Sequence, residues 1–127
     1  MKLLLDTHIL LWAAAGTLPK KAAILIENEA NTLLFSSASI WEIVIKNSLN
    51  RSDFQVNAGM LYNGLLDNGY SEITVNGNHS LITGKLPSLH KDPFDRILVA
   101  QALDEKATLI TSDKILTEYP CSVVFVK

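Results

Sequence analysis

The chain has one cysteine, few prolines and glycines, and no long apolar run. A single cysteine, Cys121, cannot form a disulfide within the chain, which agrees with a reducing, cytoplasmic location. Four prolines and six glycines are too few for a linker or a low-complexity tract, and no repeat is visible. No apolar stretch approaches the roughly 18 residues of a membrane span, so the sequence does not indicate a membrane protein.

Positive charge is also scarce. Eleven lysines and arginines stand against 13 aspartates and glutamates, which gives a formal net charge of −2. Because this balance provides no general electrostatic attraction for nucleic acid, it argues against a basic nucleic-acid-binding module. It argues less strongly against a metal-dependent nuclease, since the acidic site of such an enzyme itself contributes to the negative total.

The N-terminal segment MKLLLDTHILLW has a lysine followed by apolar residues, as a secretory signal peptide does. Asp6 and His8 interrupt the apolar stretch and no small-residue cleavage site follows, so we interpret the segment as part of the folded protein. With 48% hydrophobic and 19% charged residues the composition is globular, and 127 residues suffice for one domain with one core. We expect a single domain over residues 1–127.

Short apolar segments that resemble buried strands alternate with longer segments of helical pattern. The predicted strands are LLL at 3–5, TLLFS at 32–36, EITV at 72–75, TLIT at 108–111 and SVVFVK at 122–127. The predicted helices are HILLWAAA at 8–15, PKKAAILIENEA at 19–30, ASIWEIVIKNSL at 38–49, AGMLYNGLLDNG at 58–69, PFDRILVAQALDEKA at 93–107 and DKILTEY at 113–119. This alternation predicts a three-layer α/β/α fold with a mainly parallel central sheet.

Turn-forming residues locate the connections between these elements. Gly16 ends the first helix, and Pro19 opens the second at a tolerated first-turn position. Residues 50–57 are polar and loop-like, and the NGN sequence at 76–78 predicts a turn. The segment 86–93 contains two prolines and little periodicity, which predicts an irregular connection.

Four acidic residues stand at the ends or edges of the apolar elements. They are Asp6, Glu42, Asp95 and Asp113. Asp6 and Asp113 follow predicted strands, and ligands of parallel α/β sheets bind outside the carboxyl ends of the strands. Asp95 lies one turn into a helix, from which its side chain can point back across the same edge. Carboxylates brought into one cleft repel one another until a cation neutralises them, so convergence of the four favours a divalent metal site.

Each of these acids also has a simpler structural explanation. Asp6 and Asp113 can cap the helices that follow them, because an aspartate at this position accepts unpaired backbone N–H groups. The sequence Asp92-Pro93-x-Asp95 matches a helix start with an N-cap, a proline at the first position and an acid at the third. We interpret Asp92 as a helix cap.

Glu42 stands four residues before Lys46, the favourable order for an ion pair on a helix surface worth about 0.3 kcal/mol. The rest of this helix is apolar on almost every side, from Ile40 and Trp41 to Ile45. A helix of that kind is substantially buried, so its one polar strip would face a cleft. Both interpretations of Glu42 remain open on the sequence alone.

Four segments together, LLLDTHILLW, SASIWEIVIK, HKDPFDRILVAQA and TLITSD, resemble the PIN domain, in particular the small toxins of bacterial VapBC toxin–antitoxin pairs. The resemblance covers nearly the whole chain from Asp6 to the final strand, and DPFDR is its most specific motif. It is weakest over residues 50–88. It implies a cytoplasmic Mg²⁺- or Mn²⁺-dependent ribonuclease that is held inactive by an antitoxin and forms a homodimer. The family's acidic quartet corresponds to Asp6, Glu42, Asp95 and Asp113.

The resemblance leads to a hypothesis for the site. Asp6 and Asp95 would hold one divalent ion, with Asp113 and Glu42 completing its coordination or holding a second ion. A water activated there would attack an RNA phosphodiester. Mg²⁺ suits a set of carboxylates, whereas zinc would favour histidine or cysteine.

Neighbouring polar residues have expected supporting roles. Thr7, Thr111 and Ser112 can hydrogen-bond the carboxylates, or serve as turn and cap residues. Arg96 and Lys46 are candidates for holding phosphate oxygens, or for neutralising the acidic cluster internally.

The three histidines lack the spacing of metal ligands. We expect His8, His79 and His90 to be ordinary surface or packing residues, with His8 the nearest to the cleft.

Other protein classes fit less well. A receiver-type signalling domain needs paired acids after its first strand, and a phosphatase of the haloacid dehalogenase type needs an aspartate where His8 stands. No glycine-rich phosphate loop is present. The main alternative is a catalytically silent PIN-like module that engages a partner protein through its acidic cleft.

Overall fold

In the computed structural model, residues 1–49 and 55–126 are described, and within them the chain forms five strands and six α-helices. The strands are β1 Lys2–Leu5, β2 Thr32–Ser36, β3 Ser71–Ile73, β4 Thr108–Thr111 and β5 Val123–Phe125. The helices are α1 Thr7–Ala15, α2 Lys20–Glu27, α3 Ser37–Ser48, α4 Ala58–Asp67, α5 Gly77–Thr83 and α6 Pro93–Glu105, with a 3-10 helix at Lys114–Glu118.

The strands form one sheet in the order β3-β2-β1-β4-β5, and all neighbouring pairs are parallel. The predicted α/β/α fold with a mainly parallel sheet is therefore confirmed. The chain builds β1 to β3 towards one edge and then returns to place β4 on the other side of β1. The direction of strand order thus reverses between β1 and β4, the position where open parallel sheets bind ligands.

The sheet divides the apolar core into two clusters, whereas the length alone had suggested one. Leu3 and Leu5 of β1 face a cluster built with α1 to α4, and Leu4 faces a cluster built with α6 and the 3-10 helix. All three leucines are fully buried. Because successive strand residues point to opposite faces, a strand covered on both sides has to be apolar throughout, and this explains the uninterrupted leucine run.

The structure differs from the sequence prediction at several boundaries. The turn predicted at 76–78 is the start of α5, where Asn76 and His79 form a capping box. Pro19 precedes α2 as its N-cap instead of occupying the first turn. The predicted strand over residues 122–127 contains β5, and its last residue lies outside the described residues, as do the first five positions of the loop predicted at 50–57.

Residues 84–92 join α5 to α6 without regular secondary structure, as predicted for much of this segment. We call residues 84–92 the connector. In the described part of the chain, no single helix is both long and apolar enough to cross a membrane. Helices α1 and α2 reach that length and composition only when taken together, and they are bent by 86°.

Candidate metal site at the sheet edge

Asp6 occupies the junction between β1 and α1 and is almost completely buried. Its Oδ1 accepts a hydrogen bond from the Ile9 backbone N–H at 2.9 Å, which confirms its predicted role as the cap of α1. Its Oδ2 accepts from the Thr111 hydroxyl at the end of β4. The carboxylate therefore joins the carboxyl ends of β1 and β4 at the reversal point of the sheet.

Asp113 approaches the same edge from β4. Its backbone N–H donates to the Thr111 hydroxyl at 3.0 Å, and its Oδ1 accepts from the Ile115 N–H at 3.0 Å. The predicted cap is thus present on a 3-10 helix. Two hydrogen-bonding roles of Thr111, donor to Asp6 and acceptor from Asp113, fix the two acids relative to each other.

Asp95 reaches the site from the first turn of α6. Asp92 caps this helix by accepting from the Phe94 N–H at 2.9 Å, and Pro93 occupies its first position, as predicted. With the start of α6 held in this way, the Asp95 carboxylate lies near that of Asp113. The side chain of Asp95 is only 21% exposed.

His90, in the connector, contacts both of these aspartates. Its Nε2 lies 2.9 Å from Oδ2 of Asp113 and 3.2 Å from Oδ2 of Asp95, and one ligand atom of each residue lies within 4.8 Å of those of the other two. The prediction that His90 is an ordinary surface or packing residue is therefore wrong. The sequence signal that could have indicated this contact is the position of His90 two residues before Asp92, the cap of α6.

Glu42, on α3, lies behind Asp6 and is buried. Its Oε1 accepts from the Thr7 hydroxyl at 2.7 Å, and its Oε2 lies 3.1 Å from Nζ of Lys46. The Thr7 hydroxyl is also 2.9 Å from the Ser39 hydroxyl. The ion pair with Lys46 is present, and the buried carboxylate of Glu42 faces Thr7 of α1.

A cavity of about 470 Å³ opens in front of the carboxylates. It is lined by Asp6, His8, Trp12, Asp95, Ser112, Asp113 and Lys114. His8 borders the cavity, as expected, and Ser112 also lies on its wall. Glu42 and Arg96 are not among the lining residues. Lys114 was not singled out from the sequence, although its place directly after Asp113 marks it as a neighbour of the site.

The Asp95 carboxyl has the most perturbed acidity of the site. Burial, followed by the charge of Asp92, raises the pKa of Asp95 to about 7. The charges of Asp6 and Glu42 act in the same direction, and His90 opposes them. Burial also raises the pKa of Asp6, although its hydrogen bonds from Thr111 and Ile9 lower it in part. Burial is thus the main factor that disfavours the charged forms of Asp95 and Asp6.

Arg96 has different neighbours from those expected of a phosphate-binding residue. Its Nη1 donates to the Pro87 carbonyl at 2.9 Å and to the Tyr119 hydroxyl at 3.2 Å, and its Nη2 donates to the Thr83 carbonyl at 2.7 Å. The guanidinium thus ties α6 to the end of α5, to the connector and to the segment after the 3-10 helix. No contact links it to the acidic cavity within the described ranges.

The donor set at the cavity fits a hard divalent cation. The carboxylate oxygens of Asp6, Asp95 and Asp113 come from three separate parts of the chain and line one cavity, where burial disfavours negative charge that no cation balances. Mg²⁺ and Mn²⁺ prefer such oxygen ligands. The fold and the site define a parallel α/β/α protein with a carboxylate pocket at the reversal point of its sheet.

The sequence matches the model of the PIN domain over residues 3–120. The match covers most of the chain, and the protein belongs to the PIN domain family. A search of curated proteins gave no significant match.

Three solved structures with the same fold are of bacterial complexes. A chain in the structure of VapBC2 from Rickettsia felis bound to a DNA fragment from their promoter has a TM-score of 0.74 and 21% identity, with both chains covered completely. A chain of VapBC-1 from nontypeable Haemophilus influenzae has a TM-score of 0.65 and 19% identity, covering 98% of both. A toxin–antitoxin complex from Klebsiella pneumoniae gives 0.63 and 18%, covering 95% of this chain and 94% of that one.

Proposed function

We propose that this protein is a divalent-metal-dependent ribonuclease and the toxin of a toxin–antitoxin pair. The observation that carries the proposal is the convergence of Asp6, Asp95 and Asp113 on one cavity at the reversal point of a PIN-domain sheet. The catalytic and metal-binding set is Asp6, Glu42, Asp95 and Asp113. Among these, Asp95 and Asp113 would hold the ion most directly, because an oxygen of one lies within 4.8 Å of an oxygen of the other.

When bound, Mg²⁺ or Mn²⁺ would supply Lewis-acid stabilisation of a phosphodiester and activation of an attacking water. The residues of the chain contribute by holding the carboxylates in place. Asp6 is held by the N–H of Ile9 and the hydroxyl of Thr111, so it cannot rotate away from the cavity. Glu42 is held by Thr7 and Lys46 and adds negative charge behind Asp6.

Two cations are candidates for contacts with the RNA backbone. Lys114 is exposed and lines the cavity, so its ammonium group can reach phosphate oxygens outside the carboxylates. Lys46 is partly exposed but engages Glu42, so its predicted contact with phosphate would compete with this ion pair. We do not propose Arg96 as a phosphate ligand, because three protein oxygens already accept hydrogen bonds from its guanidinium.

An antitoxin partner follows from the toxin–antitoxin complexes that share this fold. Apolar side chains on the surface are consistent with protein partners, including a second copy of the chain. Trp41 is 62% exposed and Met60 is 72% exposed, so each offers a large apolar side chain that a partner could cover.

The test is a cleavage assay on structured and unstructured RNAs with Mg²⁺, with Mn²⁺ and with EDTA. We expect cleavage with either metal, none in EDTA, and a large loss for Asp113→Asn. The control is Asp67→Asn, which removes the same charge from an exposed position at the end of α4. Full activity of Asp113→Asn would remove Asp113 from the mechanism, and the absence of cleavage by the wild type on every RNA would favour the silent binding module.

A further inference from the structure

His90 bridges two carboxylates that come from different parts of the chain. Asp95 belongs to the first turn of α6 and Asp113 follows β4, yet a single imidazole nitrogen lies within 3.2 Å of both. The inference drawn from this contact rests on the proposed function, since it concerns how these acids hold a cation.

The hydrogen bonds of the ring identify which nitrogen carries the proton. Nδ1 of His90 accepts from the Asp92 backbone N–H at 3.1 Å, so Nδ1 is unprotonated. In a neutral imidazole the proton then resides on Nε2, the atom that faces Asp95 and Asp113. The ring is therefore oriented to donate its one Nε2–H to Oδ2 of Asp113, with Oδ2 of Asp95 at 3.2 Å from the same nitrogen, and it needs no positive charge to do so.

The backbone around the ring is also held in place. The His90 N–H donates to the Tyr119 hydroxyl at 2.9 Å, and Tyr119 is almost fully buried. The same hydroxyl accepts from Arg96, which in turn donates to the connector at Pro87. The connector is irregular in conformation, but these contacts make the position of His90 well determined.

We propose that His90 is a positioning residue for the metal site: its Nε2–H donates to Asp113 and lies beside Asp95, and it holds the two side chains so that their remaining oxygen lone pairs point at one cation. Each carboxylate oxygen has two lone pairs, so a hydrogen bond to His90 leaves coordinating capacity. Carboxylates that bind metals are generally oriented by such outer hydrogen-bond donors. Without the imidazole, the mutual repulsion of the two acids would be relieved by rotation away from each other.

Two other roles of His90 would be distinguished by metal affinity or by the protonation of Nε2. If the imidazole occupied the place of the ion, its removal would tighten metal binding. If Nε2 were itself a ligand, it would have to lose its proton when the ion binds. The proposed role requires that removal weakens binding and that the proton stays on Nε2.

The experiment is a titration with Mn²⁺ alone, followed by the electron paramagnetic resonance signal of the free ion. We expect His90→Ala to bind Mn²⁺ about 10- to 100-fold more weakly than the wild type, the range typical for the loss of an outer partner. His90→Gln should recover much of the affinity, because its amide can donate from a similar position. Metal-free thermal unfolding of each variant establishes that it folds.

His79 offers a matched control. Its Nε2 lies 3.0 Å from Oδ2 of Asp104, so it makes the same type of contact with the same helix as His90 but outside the cavity. His79→Gln should bind Mn²⁺ with wild-type affinity at the carboxylate site. A His90→Ala variant that binds Mn²⁺ as tightly as the wild type, or more tightly, overturns the proposal.

A second measurement applies even if His90→Ala fails to fold. In ¹⁵N-detected spectra of the wild-type imidazole groups, His90 should show the Nε2–H tautomer before and after Mg²⁺ is added, and loss of this proton on binding overturns the proposal. The Asp95→Asn variant distinguishes an error in the metal site from an error in the role of His90. If it binds Mn²⁺ like the wild type, the metal site itself is wrong; if it alone loses Mn²⁺ while His90→Ala does not, only the role of His90 is wrong.

Discussion

The acidic site has two halves that differ in how their charge is balanced. The Glu42 half consists of Glu42 with its partners Thr7 and Lys46, and of Ser39, which contacts Thr7. The Glu42 carboxylate accepts a hydroxyl hydrogen bond and faces an ammonium group at 3.1 Å. The Asp95 half consists of Asp95, Asp113 and His90. Within residues 1–49 and 55–126, the only basic side chain in ion-pair distance of Asp95 is His90.

This difference indicates in which half an external cation would balance more negative charge. The charge of Glu42 is compensated within the protein by Lys46, so the Glu42 half can exist in a stable form without metal. In the Asp95 half the pKa of Asp95 is raised to about 7, which means that the fold disfavours the negative charge there. We therefore predict that a cation restoring this charge would be held mainly by the Asp95 half.

The largest predicted effect is the loss of RNA cleavage when an acid is replaced, and we expect it to differ between the two halves. Asp95→Asn should lower metal-dependent RNA cleavage by at least about 100-fold, because loss of a direct ligand removes several kcal/mol of transition-state stabilisation. Glu42→Gln should cost less, about tenfold, because Lys46 already balances the charge of Glu42. The measurement is kcat/KM for one RNA at saturating Mg²⁺. Equal losses in the two variants would show that the halves are equivalent.

The second prediction concerns the stability of the metal-free protein. The pKa of Asp95 is about 7 in the folded state and near 3.8 when unfolded, so the folded state binds this proton more tightly. Its ionisation therefore destabilises the fold progressively as pH rises from about 4 to about 7. Asp95→Asn lacks this penalty and should be more stable than the wild type by about 1–3 kcal/mol at pH 8, with the gain vanishing near pH 4.

Urea unfolding in EDTA at several pH values measures this difference. Asp67→Asn, an exposed change of the same chemistry, should show no such pH-dependent gain. If Asp95→Asn is no more stable than the wild type at pH 8, the Asp95 half is not strained in the absence of metal.

The third prediction tests what supports the Asp95 half. Arg96→Gln removes hydrogen bonds to Thr83, Pro87 and Tyr119 and should lower the free energy of unfolding by about 1–3 kcal/mol. Because these bonds hold the connector and not the substrate, KM for RNA should stay close to the wild-type value. Chemical denaturation and steady-state kinetics on the same preparation measure both quantities. A raised KM with unchanged stability would restore the phosphate-binding role expected from the sequence.

The parts of the site that the sequence predicts are those determined locally. Asp6 and Asp113 follow strands, and Asp95 stands after a cap and a proline, so short-range rules are enough to place them at one edge. The same holds for the fold, since the alternation of apolar strands and helices indicates the parallel sheet directly.

The parts that the sequence does not predict depend on contacts between distant segments. The connector has no periodicity, and its path is set by Tyr119 and Arg96, so neither the contact of His90 with the acids nor the partners of Arg96 could be inferred from spacing. Helix α5 was missed for a related reason. It is short and begins with Asn76 and Gly77, which are common in turns, and its start depends on the capping box.

The smallest predicted effect concerns the entrance of the cavity and separates substrate attraction from metal binding. Lys114 is exposed, so its contact with an RNA phosphate would be worth less than about 1 kcal/mol and would be screened by salt. Lys114→Ala should raise KM for RNA a few-fold at low ionic strength, leave kcat and Mn²⁺ affinity unchanged, and match the wild type at high salt. Lys85→Ala, in the exposed part of the connector, provides a charge-matched control. A change in Mn²⁺ affinity for Lys114→Ala would mean that this lysine belongs to the charge balance of the Asp95 half, which would then no longer depend on His90 alone.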